Sequence, residues 1–121
     1  MLQKESLLNI CDNSGVKIVK IIGTLNNKKK YFTIGDIIKV TVRVKSSKSI
    51  IKKGKISRAL IIRVKKNFKR IDGSYISFSD NACILLTSKN LMRGTRIIGP
   101  IAREIKCKQF KKINLLSKNI Y

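Results

Sequence analysis

The sequence predicts a mainly β protein, and three features of its residue pattern lead to this fold class. Seven glycines divide the 121 residues at intervals that suit short strands. Residues 37–45 alternate apolar and polar side chains, which is typical of a strand with one buried face. Residues 82–86 are continuously apolar, which is typical of a strand covered on both sides. Since no linker divides the chain, we expect a single domain.

The first half of the chain is expected to hold three strands. Strands over 7–11 and 16–22 are joined by a tight turn at 12–15, where Asp and Asn bond nearby backbone and glycine accepts positive φ. The second strand loses its alternation at Ile18 and Val19, which suits a β-bulge. The third strand, over 37–45, presents one apolar face to the core and a cationic face to solvent. The residues expected on its core face are Ile38, Val40, Val42 and Val44.

Residues 59–86 are the expected centre of the fold. An apolar run over 59–62 leads into a basic stretch over 63–70, and the chain then returns to the apolar strand at 82–86. The pair Asp72-Gly73 between these runs is a strong hairpin signal, because glycine accepts positive φ without steric conflict. We therefore expect a hairpin that carries Lys and Arg outward from a buried β scaffold. Residues 26–30 and 45–55 are expected to be exposed basic loops.

The pattern changes after Ser88. Residues 94–100 are expected to form a loop with a short extended piece, and residues 101–108 a helical turn. Residues 108–117 are a better helix candidate, because Phe110, Ile113 and Leu116 are three apart and form a narrow apolar stripe. So short a helix requires packing against the rest of the protein to persist.

The charge of the chain indicates a polyanionic partner. Twenty-eight Lys and Arg residues face six Asp and Glu residues, for a net charge of +22, while hydrophobic residues make up 43% of the chain. The apolar content suffices for a core, but self-repulsion opposes the compact state unless an anion is present. Nucleic acid is the leading candidate, because phosphates neutralise Lys and Arg with release of counterions. No stretch approaches the roughly 20 apolar residues of a membrane span, so no membrane partner is expected.

The residues of catalysis and metal binding are poorly represented. Histidine is absent, which removes the commonest general base and metal ligand. Asp12, Asp36 and Asp72 adjoin turn glycines, so turn formation explains them. Asp80 and Glu104 remain as the acids of an alternative, a magnesium-dependent nuclease, although nothing in the sequence brings them together. We therefore expect no enzyme, no cofactor and no metal.

The cysteines do not form a recognisable framework. They are odd in number, far apart in sequence and without a Cys-x-x-Cys pair; they are Cys11, Cys83 and Cys107. This pattern argues against disulfides and zinc and favours buried or incidental thiols in a reducing compartment.

The basic clusters are the candidate binding residues. Five cations lie within eight residues of the central stretch, beside Phe68, which is expected either to pack in the core or to stack on a base. Further arginines lie near glycines, where backbone approaches a strand of RNA closely. The residues predicted to bind RNA are Arg43, Lys52, Lys53, Arg63, Lys65, Lys66, Lys69, Arg70, Arg93, Arg96 and Arg103.

The same residues resemble a known family, large-subunit ribosomal protein fourteen, over nearly the whole chain. The family's diagnostic region has a small residue, three aliphatics, Asp-Gly, an aromatic and an Asn, which stand here at 59–62, 72–73, 78 and 81. Other family motifs follow in order at 12–15, 35–38, 52–54, 63–66, 94–97, 99–100, 103–104 and 110–113. Ile84 stands where the family usually has Val, and residues 116–121 lack the usual Ala-Pro-Glu.

The resemblance implies a fold and a set of partners. The fold is a five-stranded β-barrel with a projecting β-ribbon and small C-terminal helices, the barrel over about 1–88 and the C-terminal loop and helices over about 89–121 of a single domain. The implied partners are large-subunit ribosomal RNA, small-subunit ribosomal RNA at an intersubunit bridge, ribosomal proteins three and nineteen, and a ribosome silencing factor. The alternative function is that of a free-standing barrel protein that binds single-stranded nucleic acid.

The composition also favours a location. Lys, Ile and Asn, which have A/T-rich codons, occur 21, 21 and 9 times, and the N-terminus shows neither a secretory region nor an Arg-rich presequence. We therefore expect a ribosome of the mitochondrial matrix, with an organelle-encoded chain, in preference to a plastid or the bacterial cytoplasm.

Overall fold

The protein is a closed five-stranded β-barrel, seen in a computed structural model that describes residues 2–24, 30–105, 113 and 119–121. The strands are β1 (Leu7–Ile10), β2 (Val16–Thr24), β3 (Ile37–Lys45), β4 (Ile56–Arg63), β5 (Phe68–Lys69), β6 (Tyr75–Ile76) and β7 (Ala82–Leu86). The barrel closes in the order β1-β2-β3-β4-β7, whereas β5 and β6 form a separate two-stranded sheet. Only the β1–β7 pairing is parallel within the barrel. The predicted mainly β class and the barrel are confirmed.

Two local predictions for strands β2 and β3 are confirmed, with one exception at Val44. The β2–β3 register shifts between Ile18 and Val19, which confirms the predicted bulge. Ile38, Val40 and Val42 are buried, but Val44 is exposed, so its assignment to the core was wrong. The paired residues of β3 and β4 end at Thr41 and Ile56, so the last residues of β3, including Val44, extend beyond β4.

Strands β4 and β7 lose their alternation because both of their faces are covered. All five residues of β7 are buried, as the apolar run predicted. In β4, Leu60 and Ile62 are fully buried on the face opposite to the barrel interior. The C-terminal segment covers them, since the Ala102 N–H donates to the Ile62 carbonyl and Ile101 is buried in the same core cluster. Each fully buried aliphatic side chain of this layer contributes about 1.5–3 kcal/mol.

The ribbon, residues 64–81 with the sheet of β5 and β6, follows β4 outside the barrel. Its turn at Asp72 and Gly73 confirms the predicted hairpin: Gly73 has a φ of 86°. The Asp72 Oδ1 accepts hydrogen bonds from the Ser74 N–H and hydroxyl, and these bonds lower the pKa of the Asp72 carboxyl.

The described part of the C-terminal region contains one helical turn. A 3-10 turn at Arg103–Ile105 confirms the helical turn predicted within 101–108. The helix predicted over 108–117 lies outside the described residues except at Ile113, which is buried. Among the described residues, no helix is long and apolar enough to cross a membrane.

The barrel has two ends that carry different connections. The loop over 46–55 precedes β4 and the ribbon follows it, so the two lie at opposite ends of that strand. The Ser46 N–H donates to the Gly15 carbonyl, which joins the 46–55 loop to the turn at 12–15. We call residues 12–15, 46–55 and 93–96 the loop end. The ribbon, the 3-10 turn and residues 119–121 form the ribbon end.

Candidate nucleic-acid interface

Each of the six acidic residues contacts a cation or a hydrogen-bond donor within the protein. Three carboxylates pair with cations and three accept hydrogen bonds in turns. The contacts are Glu5 with Lys20 (3.7 Å), Asp80 with Arg63 (3.1 Å), Glu104 with Arg70 (2.5 Å), Asp12 with Ser14 (3.0 Å), Asp36 with Thr33 (2.8 Å) and Asp72 with Ser74 (3.0 Å). Turn formation therefore accounts for Asp12, Asp36 and Asp72, as predicted.

At the ribbon end, the lysines face solvent. Lys65, Lys66 and Lys69 are exposed. Asn81 positions the start of the ribbon, since its Oδ1 accepts a hydrogen bond of 2.8 Å from the Lys65 N–H. Phe68 is half-buried and packs against the core cluster, which favours the core-packing alternative for this ring over base stacking.

Arg63 lies mostly inside the protein, where its guanidinium contacts protein groups. Its side chain is only 9% exposed and pairs with Asp80 through Nε (3.1 Å) and Nη2 (3.2 Å). Its Nη1 donates to the carbonyls of Ile98 (3.1 Å) and Pro100 (3.2 Å). A Cβ on Gly99 would overlap Nη1, so the loop passes closely over the guanidinium. Arg63 therefore attaches this loop to the barrel, and its predicted contact with RNA stays a prediction.

Arg70 also has a structural position. Its side chain is 12% exposed, its Nε is 2.5 Å from the Glu104 carboxylate, and its Nη2 donates to the Tyr121 carbonyl. The partner of Glu104 is therefore 34 positions away in sequence. A cleft of about 440 Å³ lies between the ribbon and the 3-10 turn, with Lys69 and the exposed Arg103 on its walls.

The two acids of the nuclease alternative are separately engaged. Asp80 pairs with Arg63 and Glu104 with Arg70. Within the described ranges, no three His, Cys, Asp or Glu residues are grouped so as to hold a metal ion. Asp80 and Glu104 therefore do not form the carboxylate site that magnesium-dependent cleavage requires.

The predicted cations of the loop end are all exposed; they are Lys52, Lys53, Arg93 and Arg96. Arg43 is also exposed and lies near this end, on the last part of β3. The scaffold beneath them consists of uncharged side chains and one aspartate. Asn13 donates through Nδ2 to the Thr95 hydroxyl (2.7 Å), and its Oδ1 accepts from the N–H groups of Thr95 (2.7 Å) and Arg96 (3.3 Å). Asp12 accepts a bond of 3.1 Å from the Leu85 N–H. A Cβ on Gly94 would lie 2.7 Å from Asn13 Oδ1, so this close approach requires glycine.

Comparison with known proteins identifies the family. The model of the family described as ribosomal protein L14p/L23e matches residues 1–121. The chain belongs to the ribosomal protein L14p/L23e family. It is 48% identical over 120 residues to the large ribosomal subunit protein uL14 of Aquifex aeolicus, and 47% identical over 120 residues to the uL14 proteins of Hydrogenobaculum and Aquifex pyrophilus. Each alignment covers 99% of both chains.

Membership of the L14p/L23e family establishes the general role of the chain. It is a structural protein of the large ribosomal subunit, takes part in translation and is not an enzyme. This result replaces the alternative of a free-standing barrel protein. The three relatives are bacterial, so they do not support the preference for a mitochondrial ribosome.

The role of Asn13 in this L14p/L23e protein was not inferred from the sequence. Asn13 was assigned only to a turn, although it also organises the loop that carries Arg96; the proximity of two turns distant in sequence is visible only after folding.

Cys11 and Cys83 are buried free thiols, as predicted. Burial raises the pKa of Cys11 to about 12 and also raises that of Cys83. Cys107 lies outside the described residues.

Proposed function

We propose that this protein binds large-subunit ribosomal RNA through the exposed cations at both ends of the barrel. The observation that supports this most directly is the exposure of these cations, while the acidic residues at the same ends pair with arginine or accept hydrogen bonds in turns. Arg63 and Arg70 act as structural ion-pair partners in this proposal. The residues proposed to contact RNA are Arg43, Lys52, Lys53, Lys65, Lys66, Lys69, Arg96 and Arg103.

The salt dependence of binding tests the proposal. For a large-subunit RNA fragment that the protein binds, a plot of log affinity against log salt has a slope that decreases by about 0.9 for each lost phosphate contact. The double variant Lys65→Ala/Lys66→Ala is therefore expected to bind more weakly and to lower the slope by about 1–2. Filter binding at about 50–200 mM salt measures both quantities.

A variant outside the two ends provides the matched control. Lys4→Ala/Lys39→Ala removes the same charge from two exposed positions that belong to neither end. We expect its salt slope to equal that of the unsubstituted protein. Equal losses of slope in the two double variants would refute a localised interface, because they would indicate attraction by net charge alone.

We also propose that one end contributes to a bridge with small-subunit ribosomal RNA. Two cationic surfaces at opposite ends of a rigid barrel permit simultaneous contact with two RNA segments. Sedimentation of ribosomes tests whether the two ends have different roles. The ribosomes carry either Lys65→Ala/Lys66→Ala at the ribbon end or Lys52→Ala/Lys53→Ala at the loop end. We expect one variant to lower incorporation into the large subunit and the other to lower only subunit joining. The same pattern in both variants would contradict this difference in roles.

The remaining partners of the proposal come from the family resemblance. They are ribosomal proteins three and nineteen and a ribosome silencing factor. The mitochondrial location is not retained in the proposal, since the similar proteins are bacterial.

A further inference from the structure

A groove on the wall of the barrel adjoins the loop end through Arg93. Its volume is about 400 Å³, and its walls include Ile22, Lys39, Ile56, Arg58, Leu86 and Arg93. The strand register explains how these residues meet. Arg58 of β4 is opposite Lys39 of β3 on one side and opposite Leu86 of β7 on the other, so the three residues cross the wall in a row.

The groove is positively charged and has no internal counter-ion. Among the described residues on its walls, Lys39, Arg58 and Arg93 are charged and none is acidic. Arg58 Nη1 donates to the Ser88 carbonyl and to Asn90 Oδ1, both at 3.0 Å, and Arg93 Nε donates to the Leu86 carbonyl at 3.3 Å. These uncharged acceptors hold the two guanidinium groups in place and leave their positive charge available to an anion.

The rim of the groove is aliphatic. Ile56 is 61% exposed and Ile22 is 39% exposed. Recognition of single-stranded RNA uses aromatic side chains on which bases stack, and no aromatic residue is among the described walls of this groove. Aliphatic side chains beside fixed cations instead complement a peptide that carries an apolar side chain next to a carboxylate.

We infer that this groove binds an extended acidic peptide segment of a neighbouring protein in the assembled large subunit. A carboxylate of the segment pairs with Lys39, Arg58 and Arg93, and an apolar side chain beside it covers Ile22 and Ile56. The inference assigns Arg93 to this groove and not to the RNA-binding set. It does not depend on the RNA contacts proposed for the two ends, because those contacts use other side chains.

Site-specific photo-cross-linking in assembled large subunits tests the inference. The probe is the substitution Ile56→p-benzoylphenylalanine, followed by irradiation, digestion and mass spectrometry. We expect a cross-link to a protein segment in which Asp or Glu lies beside the attachment point. A cross-link to ribosomal RNA, a cross-link to a segment without an acid, or no cross-link would overturn the inference.

Two controls separate this result from the RNA proposal. The same probe at Ile71, an exposed residue at the tip of the ribbon, reports contacts of the ribbon end. The substitution Lys39→Glu in the Ile56 probe chain is expected to lower the cross-link yield at least about tenfold, since like charges across an interface repel. Lys4→Glu makes the same change in charge outside the groove and is expected to leave the yield unchanged. Equal losses would contradict recognition of charge by the groove. If the chain with Lys39→Glu does not assemble into large subunits, the cross-link from the Ile56 probe by itself tests the inference.

Discussion

The two ends of the barrel carry similar positive charge but are held together by different interactions. At the ribbon end, two arginines connect separate segments: Arg63 bonds to Asp80 and to two loop carbonyls, and Arg70 joins Glu104 and Tyr121. At the loop end, Asn13 connects the segments through hydrogen bonds, and Arg96 contributes only its backbone N–H.

This difference shows that the basic residues of this protein occupy two kinds of position, one buried among protein groups and one exposed to solvent. A guanidinium offers five N–H donors in a fixed plane, so Arg63 can satisfy a carboxylate and two carbonyls at once. Lysines have a single flexible ammonium group, and Lys65, Lys66 and Lys69 remain exposed. We therefore expect substitutions of buried cations at the ribbon end to change stability, and substitutions of exposed cations to change the proposed RNA binding.

The largest expected effect follows from removal of Arg63. Arg63→Ala leaves Asp80 without its partner and two loop carbonyls without their donor. We expect a loss of about 3 kcal/mol in the free energy of unfolding, as is typical when one partner of a buried pair is removed. Urea unfolding followed by circular dichroism measures this loss.

The exposed arginine at the opposite end is the matched control. Arg96→Ala removes the same side chain from solvent and is expected to change the free energy of unfolding by less than about 0.5 kcal/mol. If Arg63→Ala were as well tolerated as Arg96→Ala, the contrast between the two ends would be wrong.

Two glycine substitutions, one near Arg63 and one away from it, test the close packing of the loop against Arg63. Gly99 and Gly54 both have positive φ, at 86° and 82°, but only Gly99 would place a Cβ against Arg63. Gly54→Ala therefore introduces backbone strain alone, of about 1 kcal/mol, whereas Gly99→Ala also displaces the guanidinium and is expected to destabilise by about 1–2 kcal/mol more. Thermal unfolding of the two variants checks the difference, and equal destabilisation would mean that the loop can move away from Arg63 at little cost.

Removal of Asn13 tests the uncharged connection at the loop end. Asn13→Ala removes three hydrogen bonds on an exposed surface and is expected to lower stability by about 1 kcal/mol. Faster hydrogen exchange at the amides of Thr95 and Arg96 would locate the change. The salt slope of RNA binding should stay the same, because no charge is lost; a lower slope would show that the turn itself contacts phosphate.

The smallest effect is expected at the buried thiols Cys11 and Cys83. Since burial raises the pKa of Cys11 to about 12, it remains a protonated thiol at pH 8 in the folded protein. Cys11 and Cys83 should resist alkylation by iodoacetamide in the native state and react in denaturant, as read by peptide mass spectrometry. The folded state retains a proton that the unfolded chain releases near pH 9.0, so this contribution to stability is complete below pH 9.0 and is lost as the pH rises toward 12. Rapid native labelling of Cys11 would contradict its burial.

Most of the fold was determined by local pattern. Glycine and Asp-Gly positions predicted the turns, alternation predicted β3, and the apolar run predicted a doubly covered β7. The positions of Asp12, Asp36 and Asp72 predicted their use in turns because an aspartate bonds backbone a few residues away. These features depend on residues close together in sequence, so the sequence is sufficient to infer them.

Which cations are exposed was decided only by the tertiary structure. Arg63 and Lys65 are two positions apart and chemically similar in sequence, yet one is buried and the other faces solvent. The difference arises because β4 brings Arg63 under residues 98–100, more than 30 positions away, where a carboxylate and two carbonyls surround it. The groove on the barrel wall has the same origin, since strand register alone places Lys39, Arg58 and Leu86 side by side. Composition determined that the protein would be cationic, and long-range pairing determined which of those charges a partner can reach.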